Sequence, residues 1–252
     1  MGPRRPLTTH LGHQAPFILS SAECQRWGRA MSDGHWQLEG SAAELYQRYL
    51  VPGITTKWAD DLVHRAQLRA GENVLDVACG TGVVARLAAK KVTPGHVTGL
   101  DLNSRMLAVA RNVSNGGEPI SWKEGSALDL PFPSGHFDVV LCQLGLQFFP
   151  DQPKALREMR RVVLDSGRVA LSVYSPIERT PGADAFVRAL DEVLGPEASR
   201  IKRGEHSFAA RRNLRSFCAM LALAPSKCAR SCRQSYFPLC STMFGFSFLR
   251  RR

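Results

Sequence analysis

No stretch of the 252-residue chain approaches the roughly 20 consecutive apolar residues that span a bilayer. The N-terminal run Ala15-Pro16-Phe17-Ile18-Leu19, downstream of Arg4 and Arg5, is too short for the apolar core of a secretory signal, and a cytoplasmic location is expected. Acidic residues are missing from 211–252, which hold nine Lys and Arg. Residues 1–30 hold four basic side chains and one acid. The net charge of +11 therefore belongs to the two ends, because residues 31–210 carry 20 basic and 21 acidic side chains. A neutral centre lacks the basic face that grips nucleic acid, so no nucleic-acid partner is expected. Histidine is missing around Cys228 and Cys232, whose x3 spacing would otherwise suggest zinc. No metal is expected, and the seven cysteines read as reduced thiols.

What is present falls into textures. Residues 1–30 have no sustained period and read as a disordered leader. Met31 offers an alternative start. Within 31–70, Ala42 to Leu50 and Thr55 to Ala66 read as two amphipathic helices placed to form a lid. Residues 71–210 alternate strands with helices. Strands are expected at 73–78, 96–101, 120–124, 137–142 and 167–174, with helices at 83–91, 104–112, 153–163 and 183–195. The second of these helices is expected to bury Met106, Leu107, Val109 and Ala110. The alternation predicts an α/β fold with a doubly wound, mostly parallel sheet and a ligand crevice at the carboxyl ends of its strands. Residues 211–252 are rich in Arg, Ser and Cys. They read as an atypical tail, either a non-native terminus or a genuine basic extension. On the first reading the last two strands of the sheet are missing or atypical, and the exposed edge of the fifth strand favours aggregation.

The first strand runs into Asp76-Val77-Ala78-Cys79-Gly80-Thr81-Gly82. Glycines let the backbone turn sharply and approach a ligand, and the following helix offers unpaired N–H groups. An ordinary strand-to-helix turn is the plainer alternative. Asp101 ends the second strand, nineteen residues after Gly82, where a carboxylate can accept ribose hydroxyls or cap the helix that begins near Ser104. These features suit both NAD and S-adenosylmethionine, since Gly80-Thr81-Gly82-Val83-Val84-Ala85 also fits the dinucleotide pattern. Asp76 separates the two. A carboxylate four residues before Gly80 repels a pyrophosphate but suits the ammonium of a methionyl group.

Four segments together resemble the class I methyltransferase superfamily: Leu-Asp-Val-Ala-Cys-Gly-Thr-Gly at 75–82, Leu-Asp-Leu-Asn at 100–103, Leu-Pro-Phe-Pro at 130–133 before Phe137-Asp138, and Lys-Ala-Leu-Arg-Glu-Met-Arg-Arg-Val at 154–162. The resemblance covers roughly residues 40–205 and is strongest to the small-molecule branch that includes the ubiquinone and menaquinone C-methyltransferases. It implies a Rossmann-like fold, S-adenosyl-L-methionine as cofactor and a small-molecule acceptor. It also implies that Asp76, Gly80, Thr81 and Gly82 hold the methionyl part, and that Ala78 and Met106 are among the residues that bind the cofactor. Asp101 would take the ribose. Leu102 would flank the adenine, Ser126 and Ala127 would meet its edge, and Gln143 would line the site. Ser126 departs from the Asp or Asn frequent there, and Asp165-Ser166-Gly167-Arg168 replaces the usual Pro-Gly-Gly turn.

Methyl transfer from a sulfonium needs chiefly positioning and exclusion of water, with a base only where the acceptor loses a proton. His35, His64, His136 and His206 carry no motif that singles one out, so no catalytic residue is assigned from sequence. Trp36 and Tyr46 fall in the lid. The chain also lacks the Asn/Asp-Pro-Pro-Tyr/Phe motif of base-flipping amino-methyltransferases. The alternatives are an NAD(P)-binding oxidoreductase and a truncated fragment that binds cofactor without turnover.

Overall fold

In Asn73-Val74-Leu75-Asp76-Val77 the apolar Val74, Leu75 and Val77 fall on both faces of an extended segment, which suits a strand covered on both faces. The computed structural model describes residues 42–114 and 119–206, together with the two-residue segments 232–233, 243–244 and 249–250. It places this stretch as β1 (Asn73–Val77) in the middle of a sheet. β2 (His96–Asp101) and β3 (Ile120–Glu124) lie on one side, and β4 (Phe137–Gln143) and β5 (Val163–Tyr174) on the other. All five strands are parallel, in the order β3-β2-β1-β4-β5.

The helices are α1 (Ala42–Leu45), α2 (Thr56–Ala66), α3 (Val83–Val92), α4 (Ser104–Ser114), α5 (Gln152–Val162), α6 (Pro181–Leu194) and α7 (Arg200–Glu205). Alternate strand residues go to opposite faces. Val74, Val97, Val139, Leu141 and Ala170 pack with Leu62, Val63 and Ala66 of α2 and Ala85, Ala88 and Val92 of α3. Leu75, Leu100, Val140, Cys142 and Leu171 pack with Ala155, Leu156 and Met159 of α5. Asp151 caps α5 by accepting the Lys154 N–H at 2.8 Å. This sandwich of helices on a parallel sheet is the expected doubly wound α/β fold. The chain moves outward from β1 to β2 and β3, then returns to β4 on the far side of β1. The reversal opens a crevice between the carboxyl ends of β1 and β4.

Three segments differ from the sequence expectation. Ala42 to Ala66 is helical throughout rather than two separate helices, because wide π turns over Tyr46–Thr55 join α1 to α2. Pro52 has no N–H to donate, and the wider turn spans it: the Val51 carbonyl accepts the Thr56 N–H, the Thr56 hydroxyl at 2.7 Å and the Thr55 hydroxyl at 3.2 Å. Asp165 to Arg168 is no simple turn before β5 but a bulge inside it. The pairing jumps from Phe137–Val163 to Val139–Arg168. A Cβ on Gly167 would stand 2.6 Å from the Asp138 carbonyl oxygen, so the bulge has room only for glycine. Arg168 turns inward from the bulge and is buried. Its Nη1 and Nη2 each lie 2.8 Å from an oxygen of Glu72, and Nη2 also donates to the Gln67 carbonyl at 2.8 Å. Third, Met106 is only partly buried, whereas Leu107, Val109 and Ala110 enter the core.

Beyond residue 206, β6 (Cys232–Arg233), β7 (Met243–Phe244) and β8 (Leu249–Arg250) pair antiparallel at the sheet edge. β7 meets β5 at Val173–Phe244 and Tyr174–Met243, and β8 meets it at Arg168–Arg250 and Val169–Leu249. How far the tail supplies the last strands of the sheet lies outside the described residues. The leader, His35, Trp36, the cysteines at 218, 228 and 240, and Tyr236-Phe237-Pro238-Leu239 lie outside the described residues.

Candidate active site

The loop leaving β1 is built from left-handed residues. Ala78, Gly80 and Gly82 have φ of 56°, 55° and 82°. Ala78 tolerates this poorly on its own. The loop is held by the Cys79 N–H on the Leu100 carbonyl at 3.0 Å and the Gly82 N–H on the Cys79 carbonyl at 2.9 Å. A Cβ on Gly82 would collide with the indole of Trp122, whereas a Cβ on Gly80 would meet nothing within 4 Å. Gly82 is therefore required by packing, and Gly80 leaves backbone open to a ligand. α3 follows with no side-chain cap on its first turn.

Two carboxylates flank the loop. Asp76 is 1% exposed, and neither of its oxygens has a hydrogen-bond partner within bonding geometry. Burial pushes its carboxyl up to about 8; the nearby Ala85 N–H and Arg86 oppose this, and the charge of Asp101 adds to it. Asp101 accepts the Gly80 N–H through Oδ2 at 2.7 Å and the Asn103 N–H through Oδ1 at 2.9 Å. Burial raises its pKa, against the pull of the Asn103, Gly80 and Leu102 N–H groups. The helix-cap role open to Asp101 belongs instead to Asn103, whose Oδ1 accepts the N–H groups of Arg105 at 3.0 Å and Met106 at 3.4 Å. Asp101 thus keeps lone pairs for a ligand.

Around these groups Leu102 is 50% exposed beside the end of β2, and Met106 sits in the first turn of α4. The Ser126 hydroxyl accepts the Leu128 N–H at 3.1 Å, and Ala127 joins the core cluster of Leu100 and Leu130. Thr81 is buried with an unpartnered hydroxyl.

Across the crevice, the Gln143 amide donates to the Thr55 carbonyl at 2.9 Å, while its Oε1 is buried without a partner. Leu144 also adopts a left-handed φ of 54°, and its N–H bonds the Ser172 carbonyl at 2.9 Å. Trp58, Leu144 and Tyr174 cluster with Ile54, which seats the N-terminal helices on the strand ends. Tyr46 reports the same closure. Its hydroxyl is pushed up to about 12 by burial; the Thr55 hydroxyl counteracts this, and the charges of Asp101, Glu205 and Asp76 add to it. The buried Gln147, Ser172 and Ser175 carry unpartnered polar atoms at the ends of β4 and β5.

The structure therefore brings Asp76, Ala78, Gly80, Thr81, Gly82 and Asp101 to one side of the crevice and Gln143 to the other. His136 packs edge-on against Phe137 at the amino end of β4, and His64 is exposed on α2. His206 alone of the described histidine candidates reaches the carboxyl ends. Thr55, Asn103, Gln147, Ser172 and Ser175 escaped the sequence reading because isolated polar residues carry no pattern. A basin of about 600 Å³ lined by Arg157, Arg160 and Asp165 lies at the opposite end of the sheet.

The parallel sheet reverses between β1 and β4, with a glycine loop and paired carboxylates at the reversal, the arrangement expected of a class I methyltransferase core. Residues 75–171 match the family described as a methyltransferase domain. The chain is 37% identical over 135 residues to a 2-phytyl-1,4-naphthoquinone methyltransferase of Synechococcus elongatus, covering 50% of this chain and 58% of that protein. It is 38% identical over 120 residues to a demethylmenaquinone methyltransferase of Listeria welshimeri, covering 46% and 51%. The chain thus spans about half the length of these curated relatives. In fold it is similar to a structure described as an S-adenosyl-L-methionine-dependent methyltransferase from Methanococcus maripaludis, with a TM-score of 0.58 at 15% identity over 90% of this chain and 93% of that one. A S-adenosylmethionine-dependent methyltransferase from Aquifex aeolicus gives 0.53 at 16% identity over 76% and 89%. The family and the fold imply S-adenosylmethionine as cofactor, and the oxidoreductase alternative is not favoured.

Proposed function

We propose that the protein transfers a methyl group from S-adenosylmethionine to a small lipophilic acceptor of the prenylated quinol class. The observation that carries this reading is Asp76, a buried carboxylate without a partner, beside the open backbone of Gly80. An unpaired buried carboxylate is costly unless it meets a cation, and the methionyl ammonium is one. In this proposal Asp76, Ala78, Gly80, Thr81 and Gly82 hold the methionyl part and Asp101 takes the ribose. Leu102 and Met106 flank the adenine, Ser126 and the Ala127 backbone meet its edge, and Gln143 faces the acceptor. The bound cofactor supplies a methyl already activated by a sulfonium. The chain's contribution is to orient the two reactants and to exclude water through the Tyr46–Trp58 lid. The named relatives support a quinone-derived acceptor, as does the apolar lid surface of Leu45, Tyr49 and Leu50.

Calorimetry with S-adenosylhomocysteine and with NADH tests the cofactor. Binding of the former alone is expected, and binding of NADH alone overturns the reading. Tritiated-methyl transfer to a 2-prenyl-1,4-naphthohydroquinone tests the acceptor. Binding of S-adenosylhomocysteine with no transfer to this or any other acceptor in a metabolite panel would overturn the methyl-transfer reading.

A further inference from the structure

We propose that His206 is the proton acceptor of this site, its Nε2 taking the proton that the acceptor molecule gives up as it is methylated. The assignment rests on the methyltransferase reading above.

Three observations carry it. First, the imidazole is oriented. Nδ1 lies 2.6 Å from the Ser175 carbonyl oxygen. A carbonyl only accepts, so Nδ1 carries the hydrogen and Nε2 presents a lone pair. Second, Nε2 is buried and without a hydrogen-bond partner among the described residues, in a histidine only 4% exposed. Third, the ring stands at the carboxyl ends of the strands. It packs 5.0 Å from the Tyr174 ring, and Tyr174 clusters with Leu144, the residue after Gln143.

The charged groups around the ring are Lys202 and Glu205 on α7, which pair at 2.6 Å, and Glu178 in the turn after β5. Lys202 also lies 5.1 Å over the Tyr174 ring. Burial lowers the imidazole pKa and Lys202 lowers it further, against the raising effects of the Ser175 carbonyl, Glu205 and Glu178. The ring is therefore a neutral base at pH 7.

In the step, the sulfur–methyl bond breaks with its electron pair left on sulfur, which becomes a neutral thioether. The acceptor's oxygen or ring carbon forms the new bond to the methyl. The proton from that oxygen or carbon goes to Nε2 and then to solvent.

The test uses the full chain with S-adenosylmethionine and a 2-prenyl-1,4-naphthohydroquinone. His206→Asn keeps a donor to Ser175 and removes the base, whereas His206→Gln places an amide near Nε2. Both variants should lower kcat by about 100-fold or more and lose the acidic limb of the pH–rate profile. Both should bind S-adenosylhomocysteine within roughly threefold of the parent, about 0.65 kcal/mol. Retention of kcat and its pH limb by either variant overturns the proposal. So does loss of S-adenosylhomocysteine binding in parallel with activity, which marks a structural role. Nitrogen-15 NMR of the imidazole gives an independent readout. The Nδ1–H tautomer is expected, with the Nε2 resonance shifting when S-adenosylhomocysteine and the naphthohydroquinone are added together. An Nε2-protonated ring, or an unmoved resonance, also overturns it. Failure of the parent protein to bind S-adenosylhomocysteine would instead sink the methyltransferase reading, while the tautomer still judges His206.

Discussion

The Asp101 carboxylate accepts the backbone N–H of Gly80 at 2.7 Å, tying the carboxyl end of β2 to the loop that leaves β1. A hydrogen bond to a charged group contributes about 1.5–3 kcal/mol. Asp101→Ala should therefore loosen the loop as well as remove the ribose acceptor. We expect S-adenosylhomocysteine affinity to fall at least tenfold, about 1.4 kcal/mol, in calorimetry. Unchanged affinity would remove Asp101 from the site.

Asp76 should make cofactor binding release protons. Its carboxyl sits at about 8 rather than 3.8, so it is protonated at pH 7 before a ligand arrives. A cationic ammonium selects the charged form, so about one proton should leave per site at pH 7 and affinity should rise with pH towards that value. Calorimetry in buffers of different ionisation enthalpy measures the release, and Asp76→Asn should abolish it.

Stability of the unliganded protein follows the opposite course. Between 3.8 and about 8 the folded Asp76 holds a proton that the unfolded chain has lost. Its contribution to stability therefore falls as pH rises across that interval. Urea midpoints should show a slope that Asp76→Asn flattens.

Gly145 is a steric rather than a conformational requirement. Its φ is −94°, which any residue adopts, yet a Cβ would stand 2.8 Å from the Ala78 Cβ and 3.0 Å from the Cys142 sulfur. Gly145→Ala should cost about 1–3 kcal/mol by urea unfolding and push the β1 loop from its position. A neutral outcome would mean that the two strand-end loops do not touch.

Glu72 and Arg168 form the buried ion pair that anchors the β5 bulge to the turn before β1. Glu72→Ala leaves a buried guanidinium unpaired at a cost of about 3–5 kcal/mol. Burial raises the Glu72 carboxyl, but the hydrogen bonds from Arg168 and Arg69 outweigh that and hold it below 4.5. Its contribution is complete above 4.5 and disappears as pH falls through the lowered folded value. Chemical denaturation of the parent should show this acid loss, and Glu72→Ala should not.

Much of the core was legible before any coordinates, for physical reasons. Short segments at 73–77, 96–101 and 137–142 carry apolar residues on both faces of an extended chain and alternate with helical segments, so strands covered by helices follow from the pattern. Asp76, Gly80, Gly82 and Asp101 could be found because each combines an unusual chemistry with a place at a strand end. Less regular features stayed hidden. Asp165 to Arg168 looks like a turn by composition, and nothing local shows that the bulge sends Arg168 inward to Glu72, 96 residues earlier. Pro52 and Gly53 look like a break, and only the wide turn around the Val51 carbonyl carries the helix past them.

From sequence alone the glycine loop was divided between two cofactors, and Asp76 tipped it towards S-adenosylmethionine because a carboxyl group there suits an ammonium and not a pyrophosphate. The tertiary structure decided the rest. It gave the helix cap to Asn103 and left Asp101 for Gly80, it orphaned both oxygens of Asp76, and it turned His206 onto Ser175. Those outcomes depend on which groups lose water and which partners stand within about 3 Å once the strands align. Burial and distance are properties of the folded chain, and residue order does not contain them in readable form.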